Sequence, residues 1–204
     1  MPIIIDSIDQ GTEEWMLCRA GNPGASSISK IITNSGELSK SRQDYLYQLA
    51  GEQITGRCEE GFQSPAMKNG HEREDSARSL FEMVHDIEVK KVAIIYKDQL
   101  RSFHCSPDGL VGDDAGVEIK CPMLKTHVKY LIDGKLPSDY FGQVQMSLYV
   151  SERPKWHFMS FYAGLPPLML EVQRDEAYIS RLAKALDDFT ADLMRTVQKL
   201  KAIK

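Results

Sequence analysis

The chain has 204 residues, 42% hydrophobic and 26% charged, which suits one globular domain over 1–204 with a real core and excludes a disordered chain. A net charge of −4 excludes a protein that coats nucleic acid by bulk attraction, but not one whose positive charge is confined to a groove or channel. No apolar run reaches the roughly 18 residues that span a bilayer, and "MPIIIDSIDQ" lacks the basic segment of a secretory signal. Together with four cysteines that form no CxxC pair, this leads us to expect reduced thiols, a cytoplasmic location and no membrane.

In chain order, "DQGTEEWMLCRAG" predicts a short helix: Thr12 caps it, Glu13 and Glu14 suit its positive end, and Gly21 stops it. "GASSISKIIT" predicts a second helix start at Ser26 or Ser27, where free backbone N–H groups suit an anion. "TNSGELSKSRQ" reads as a mobile loop and Tyr45–Thr55 as a helix, followed by a Gly-rich turn before Ser64. "SPAMKNGHEREDSARSLFEMVHD" is strongly helical, with Gly70, Glu74, Ala77, Phe81 and Val84 on one face. Glu74 is the anomaly there, an acid on the stripe that should face the core. Such a carboxylate sits at the rim, pairs with an arginine, or answers a bound cation.

Strands are expected over "IEVKKVAIIY", "LRSFHCSPDGL" and "VEIKCP". A helix "YFGQVQMSLYVS" follows, with Phe141, Val144 and Leu148 on one face. Two further strands, "KWHFMSFY" and "LMLEVQ", precede a C-terminal helix from about Asp175, with Tyr178, Leu182, Ala185, Phe189 and Leu193 inward. The order α-α-α-βββ-α-ββ-α implies an α/β sandwich, a central mixed sheet flanked by helices.

The chemistry concentrates in "HCSPDGLVGDDAGVEIKCP", residues 104–122. Strand alternation sends Glu118 and Lys120 to one face and Val117 and Ile119 to the other. "GDDAG" is turn chemistry, so Asp108 can come across from the neighbouring strand to meet Glu118. Two converging carboxylates repel unless a cation intervenes, and hard divalent ions prefer such oxygens. A solvated hairpin, a buried ion pair and a metal site for phosphodiester cleavage all satisfy this pattern. The spacing alone does not choose among them.

The ordered run "DQGTEEWMLCRAG", "GHEREDSARSLFE", "SPDGL…VEIKCP", "FGQVQMSLYV" and "RDEAY" covers most of the chain. It resembles the PD-(D/E)xK nucleases and, more narrowly, the phage lambda exonuclease family of YqaJ-like viral recombinases from phages and prophages. The resemblance implies a restriction-endonuclease-like core and a 5′→3′ exonuclease acting on linear double-stranded DNA. That enzyme would release 5′-mononucleotides and leave a 3′ single-stranded tail for annealing-type recombination. Asp108 and Glu118, with the Ile119 carbonyl, would hold two Mg²⁺ ions, for which Mn²⁺ can substitute. Lys120 would activate the water, and Glu74 would support the second metal or the nucleophile. Gln143 would lie near the metals and the terminal phosphate, with Arg19, Ser26 and Ser106 gripping the 5′-phosphate. Met67 stands where the family places an apolar wedge. Two departures are Pro65, where a lysine is expected, and a less basic "SGELSKSRQD". The family's habits further imply a homotrimeric ring, a single-strand annealing protein as partner, and action in the bacterial host's cytoplasm. The competing readings are a structure- or site-specific endonuclease with the same metal core and a non-catalytic DNA-end-binding module that loads a recombinase. A Cas4-like iron–sulfur nuclease is set aside because no cysteine follows Cys121.

Overall fold

The computed structural model describes residues 1–59 and 65–203, with the side chains of 65–72 outside that description. Its centre is strand β6 (Ala115–Lys120), whose sequence AGVEIK serves two faces at once. Val117 and Ile119 join Ala77 and Phe81 of helix α3 (Pro65–His85) in one apolar cluster with Met159. The opposite face of the sheet lies under helix α5 (Ser138–Ser151), whose Val144 and Leu148 pack on Trp156.

Five strands form the main sheet, in the order β2 (Val89–Lys90), β5 (Gly109–Val111), β6, β7 (Lys155–Ser160), β8 (Leu168–Gln173). Among the described residues, only β6 and β7 are parallel in it. A parallel pair needs a crossover, supplied here by α4 (Leu124–Asp133) and α5. A second sheet of β1 (Ile3–Ile5), β3 (Ile94–Tyr96) and β4 (His104–Cys105) is antiparallel throughout. The mixed sheet flanked by helices is the α/β sandwich expected from the sequence.

Helix α1 (Glu13–Arg19) is capped by Thr12, whose hydroxyl accepts from Trp15 N–H. Helix α2 (Arg42–Thr55) starts three residues before the expected Tyr45. It packs with helix α6 (Glu176–Ala202), where Asp175 caps by accepting from Tyr178 N–H at 2.9 Å. Tyr178, Leu182, Ala185, Phe189 and Leu193 are all buried there, as the helical spacing requires.

Several expectations are corrected. The segment after Gly24 is a 3-10 helix, Ala25–Lys30, capped by Gly24 and not by Ser26 or Ser27. "IEVKKVAIIY" divides between β2 and β3, which belong to different sheets, and the chain changes sheet where Ala93 N–H donates to Ile5 O. "LRSFHCSPDGL" likewise divides into β4 and β5 around Pro107, which has no N–H to give a ladder. Val84 is 55% exposed: the stripe ends at Phe81, and a left-handed Asp86 (φ 51°) turns the chain so that Ile87 reaches the cluster instead. Phe141 packs edge-on against Tyr178, 4.9 Å away, and not with Val144 and Leu148. Strand β1 and helix α4 are additions that the sequence reading lacks. The Gly-rich turn before Ser64 lies outside the described residues.

Candidate active site

The β5–β6 hairpin is held rigidly at its turn. Gly112 takes a left-handed conformation (φ 50°), and Arg153 Nη1 donates to the carbonyls of Val111, Gly112 and Ala115. The register pairs Gly109 with Val117, and Asp108 N–H donates to Val117 O at 3.2 Å. Asp108 is thereby carried beside the acid-bearing stretch of β6. Its Oδ2 accepts from Ile119 N–H at 2.5 Å.

Glu118 is 3% exposed. Its Oε1 accepts from Gln143 Nε2 of α5 at 2.6 Å and meets Lys120 Nζ at 2.5 Å. Lys120 Nζ also stands 5.1 Å from the ring centre of Tyr140, one helical turn before Gln143. The alternation read from the sequence holds: Val117 and Ile119 face α3, while Glu118 and Lys120 face α5. Burial and the charges of Glu118 and Glu74 hold the Asp108 carboxyl well above its ordinary pKa, against the opposing Lys120 and Ile119 N–H. For Lys120, burial works to lower the pKa. The neighbouring Glu118 and Asp108 carboxylates outweigh it, and the ammonium is held above its usual range. Burial thus disfavours the charged form of Asp108, while the neighbouring carboxylates favour the charged form of Lys120.

Glu74 pairs with Arg78 at 2.5 Å, and Arg78 Nε donates to Asp108 O at 3.2 Å. An acid on the inner stripe is therefore answered by an arginine at i+4, and that arginine ties α3 to the main chain of the site. The charge of Glu74 still reaches the Asp108 carboxyl. Among the described residues no three His, Cys, Asp or Glu side chains converge in a cluster.

A second set lies near the point where β4 meets the segment leading into the 3-10 helix, at the Gly24–His104 bridge. Arg19 stacks over Trp15, 4.1 Å from its ring centre, and its Nη2 is 3.5 Å from Ser26 Oγ. Trp15 is itself fixed by donating to Ala93 O at 2.9 Å. Arg19 Nε and Ser106 Oγ are buried without a hydrogen-bond partner among the described residues. Buried donors rarely stay unsatisfied, so orphans of this kind suit an anion.

Residues 14–154 match the family described as the YqaJ-like viral recombinase domain. The chain belongs to this family. Among solved structures it is similar to an alkaline exonuclease, LHK-Exo, from Laribacter hongkongensis, with 32% identity and a TM-score of 0.84, covering 93% of this chain and 96% of that one. A second structure of that exonuclease, in complex with dAMP, gives the same values. A phage-related exonuclease from Haemophilus somnus 129PT matches at 15% identity and a TM-score of 0.66 over 90% of this chain and 96% of that one, a likeness of fold. No curated protein matches. The fold of this YqaJ-like chain is accordingly restriction-endonuclease-like.

Within the YqaJ-like domain, the structure brings Asp108, Glu118, Ile119, Lys120 and Gln143 together and places Glu74 at their edge through Arg78. It brings Arg19 to Ser26, with Ser106 two residues before Asp108. The Met67 side chain lies outside the described residues. Three contributors escaped the sequence reading. Arg78 and Tyr140 were within reach, since each lies one helical turn from a residue already singled out (Glu74 and Gln143). His104 gave no local signal. Its imidazole is buried against Gly24, where even a Cβ would come within 2.7 Å of Cε1.

Proposed function

We propose that this chain is a metal-dependent 5′→3′ exonuclease. It degrades one strand of linear double-stranded DNA to 5′-mononucleotides and leaves a 3′ single-stranded tail for annealing-type recombination. The observation that carries this reading is the Asp108–Glu118 pair on a rigid hairpin, with a half-buried lysine touching the buried Glu118. Membership of the family and 32% identity to a protein named an alkaline exonuclease support an exonuclease over the endonuclease and non-catalytic readings. The dAMP complex of that relative supports a mononucleotide product.

The donor set fits hard divalent cations. Two carboxylates and a main-chain carbonyl are all oxygen ligands, and a cation offsets both the burial and the neighbouring negative charge that raise the Asp108 pKa. Asp108, Glu118 and the Ile119 carbonyl would hold two Mg²⁺ ions, or Mn²⁺ in their place. When bound, such ions polarise the scissile phosphate and lower the pKa of water. The remaining work falls to side chains. Gln143 fixes the Glu118 carboxylate by donating to Oε1. Lys120 Nζ is placed to hold the attacking water or a phosphate oxygen, steadied from behind by Tyr140. Glu74, through Arg78 and the Asp108 carbonyl, keeps the hairpin against α3 and supports the second metal. Arg19, Ser26 and Ser106 grip the 5′-terminal phosphate with Gln143 nearby, and the planar guanidinium suits that task. Met67, early in α3, would part the terminal base pair. A homotrimeric ring with a basic channel would reconcile the net charge of −4 with DNA binding, and a single-strand annealing protein would receive the tail.

Linear duplex labelled at either its 5′ or its 3′ ends, with and without 5′-phosphate, tests polarity. Expected are mononucleotides released from 5′ ends, faster when phosphorylated, and no attack on covalently closed circles. Digestion of closed circles would refute the exonuclease reading in favour of an endonuclease.

A further inference from the structure

Beyond the hairpin, the far rim of the sheet carries a stack with no role in the scheme above. Tyr162 is the second residue after β7, and the intervening Phe161 N–H donates to Lys120 O at 2.8 Å. The guanidinium of Arg73, on α3 next to Glu74, lies 5.0 Å from the centre of the Tyr162 ring. On α4, the His127 imidazole lies 6.4 Å from that ring at an interplanar angle of 27°. His127 is wholly buried and held between Ser160 Oγ at 2.8 Å and Pro166 O at 3.0 Å. Since Pro166 O can only accept, Nε2 donates to it, and the ring that backs Tyr162 is fixed in place. Arg73 is the outer member. Its acidic neighbours are engaged elsewhere, Glu74 with Arg78, and Asp75 with Arg78 and Lys91. No carboxylate pairs with Arg73 among the described residues. The charge of Arg73 is felt at Cys121, next to Lys120.

The order along this rim follows the sheet. His104, which meets the segment after Arg19, comes first with Ser106 two residues on, then Asp108 leading into β5, then Glu118 and Lys120 on β6, then Tyr162 after β7. Neighbouring strands are about 4.8 Å apart, so the rim from β5 to β7 spans roughly 10 Å. A nucleic-acid strand rises about 3.4 Å per nucleotide. A strand with its 5′-phosphate at Arg19 and its first phosphodiester over Asp108 and Glu118 therefore continues toward Tyr162, one to three nucleotides on. An aromatic ring paired with an arginine plane is the usual platform for a base and its phosphate.

We propose that Arg73 and Tyr162 form a subsite for the degraded strand on the 3′ side of the scissile phosphate. The guanidinium plane of Arg73, backed by Tyr162 and His127, stacks on a base, and its N–H groups bind the adjoining phosphate. This rests on the exonuclease reading above and adds to it where the uncut strand is held. The competing explanation is a strut that merely ties α3 to the sheet.

Steady-state mononucleotide release from a 5′-phosphorylated linear duplex separates the two, measured for the wild type, Tyr162→Ala, Tyr162→Phe, Arg73→Gln and Arg73→Lys. The subsite predicts about a tenfold rise in KM for Tyr162→Ala and Arg73→Gln, with kcat within about twofold of wild type. Tyr162→Phe should restore KM, and Arg73→Lys should retain the salt dependence. Arg73→Gln should lower the slope of log KM against log salt by about one. If KM and the salt slope are unchanged in Arg73→Gln, the subsite is refuted, even should Tyr162→Ala fail to fold. A fall in kcat and melting temperature together, with KM intact, identifies the strut and overturns the proposal. A wild type that releases no mononucleotide would instead overturn the exonuclease reading itself.

Discussion

Replacing Lys120 with methionine removes the ammonium 2.5 Å from Glu118 Oε1 and leaves a carboxylate that is 3% exposed facing Gln143 Nε2. At an effective dielectric near 20, the gross attraction across that distance is about 7 kcal/mol. Most of it is offset by the cost of having desolvated both groups. Breaking a buried pair from one side costs about 3–5 kcal/mol. The Lys120 side chain retains 27% of its exposure, so water screens part of the interaction, and about 2–4 kcal/mol is the expected loss. Urea unfolding in EDTA reads this directly, with an unchanged m-value showing that the denatured state is unaffected. The double variant Glu118→Gln/Lys120→Met should recover much of the loss, giving a coupling energy of about 1–3 kcal/mol. A single-variant loss below about 0.5 kcal/mol, or a coupling near zero, would show that the two groups do not form the buried pair on which the site depends.

Arg19→Ala should abolish the preference for 5′-phosphorylated ends while some cutting persists. Hydrogen bonds to charged groups are worth about 1.5–3 kcal/mol, so a KM difference of roughly tenfold to a hundredfold between phosphorylated and unphosphorylated duplex should collapse. A preference that survives would remove Arg19 from the pocket. Gly116→Ala places a Cβ 2.4 Å from Cη2 of the fully buried Trp156, and such overpacking costs about 1–3 kcal/mol. An unchanged melting temperature would contradict that packing. Burial, followed by the Arg19 charge, pushes the His104 imidazole down to about 3 from 6.5. As pH falls through that window, the unfolded chain takes up a proton that the folded chain refuses. Stability therefore declines by up to about 1.4 kcal/mol per pH unit. His104→Gln should flatten stability against pH between pH 6 and 4, and an unchanged slope would refute the assignment.

The parts legible in the sequence are those where one periodicity decides the outcome. The α6 stripe from Tyr178 to Leu193 and the Val117/Glu118/Ile119/Lys120 alternation each follow from side-chain geometry alone. The parts that were not legible depend on partners distant in the chain. Nothing local to "IEVKKVAIIY" says that the chain changes sheet, because that is decided by pairing with β1 and β5. Helix α4 hides its inward residues, His127 and Tyr130, among lysines and exposed Val128 and Ile132. Glu74 was legible as an anomaly but not in its outcome. Its pairing with Arg78 follows from helical spacing, whereas the reach of Arg78 to the Asp108 carbonyl is a tertiary fact. The stack of Arg73, Tyr162 and His127 draws on three elements across some ninety residues, beyond any motif.

The most direct test compares mononucleotide release from a 5′-phosphorylated linear duplex in Mg²⁺ by the wild type, Asp108→Asn and Lys120→Ala, each checked for folding by circular dichroism. The account predicts rapid release by the wild type and a loss of about a thousandfold or more in both variants, roughly 4 kcal/mol of transition-state stabilisation. Folded variants that digest DNA at the wild-type rate would contradict it, since the hairpin would then not be where the phosphodiester is cut.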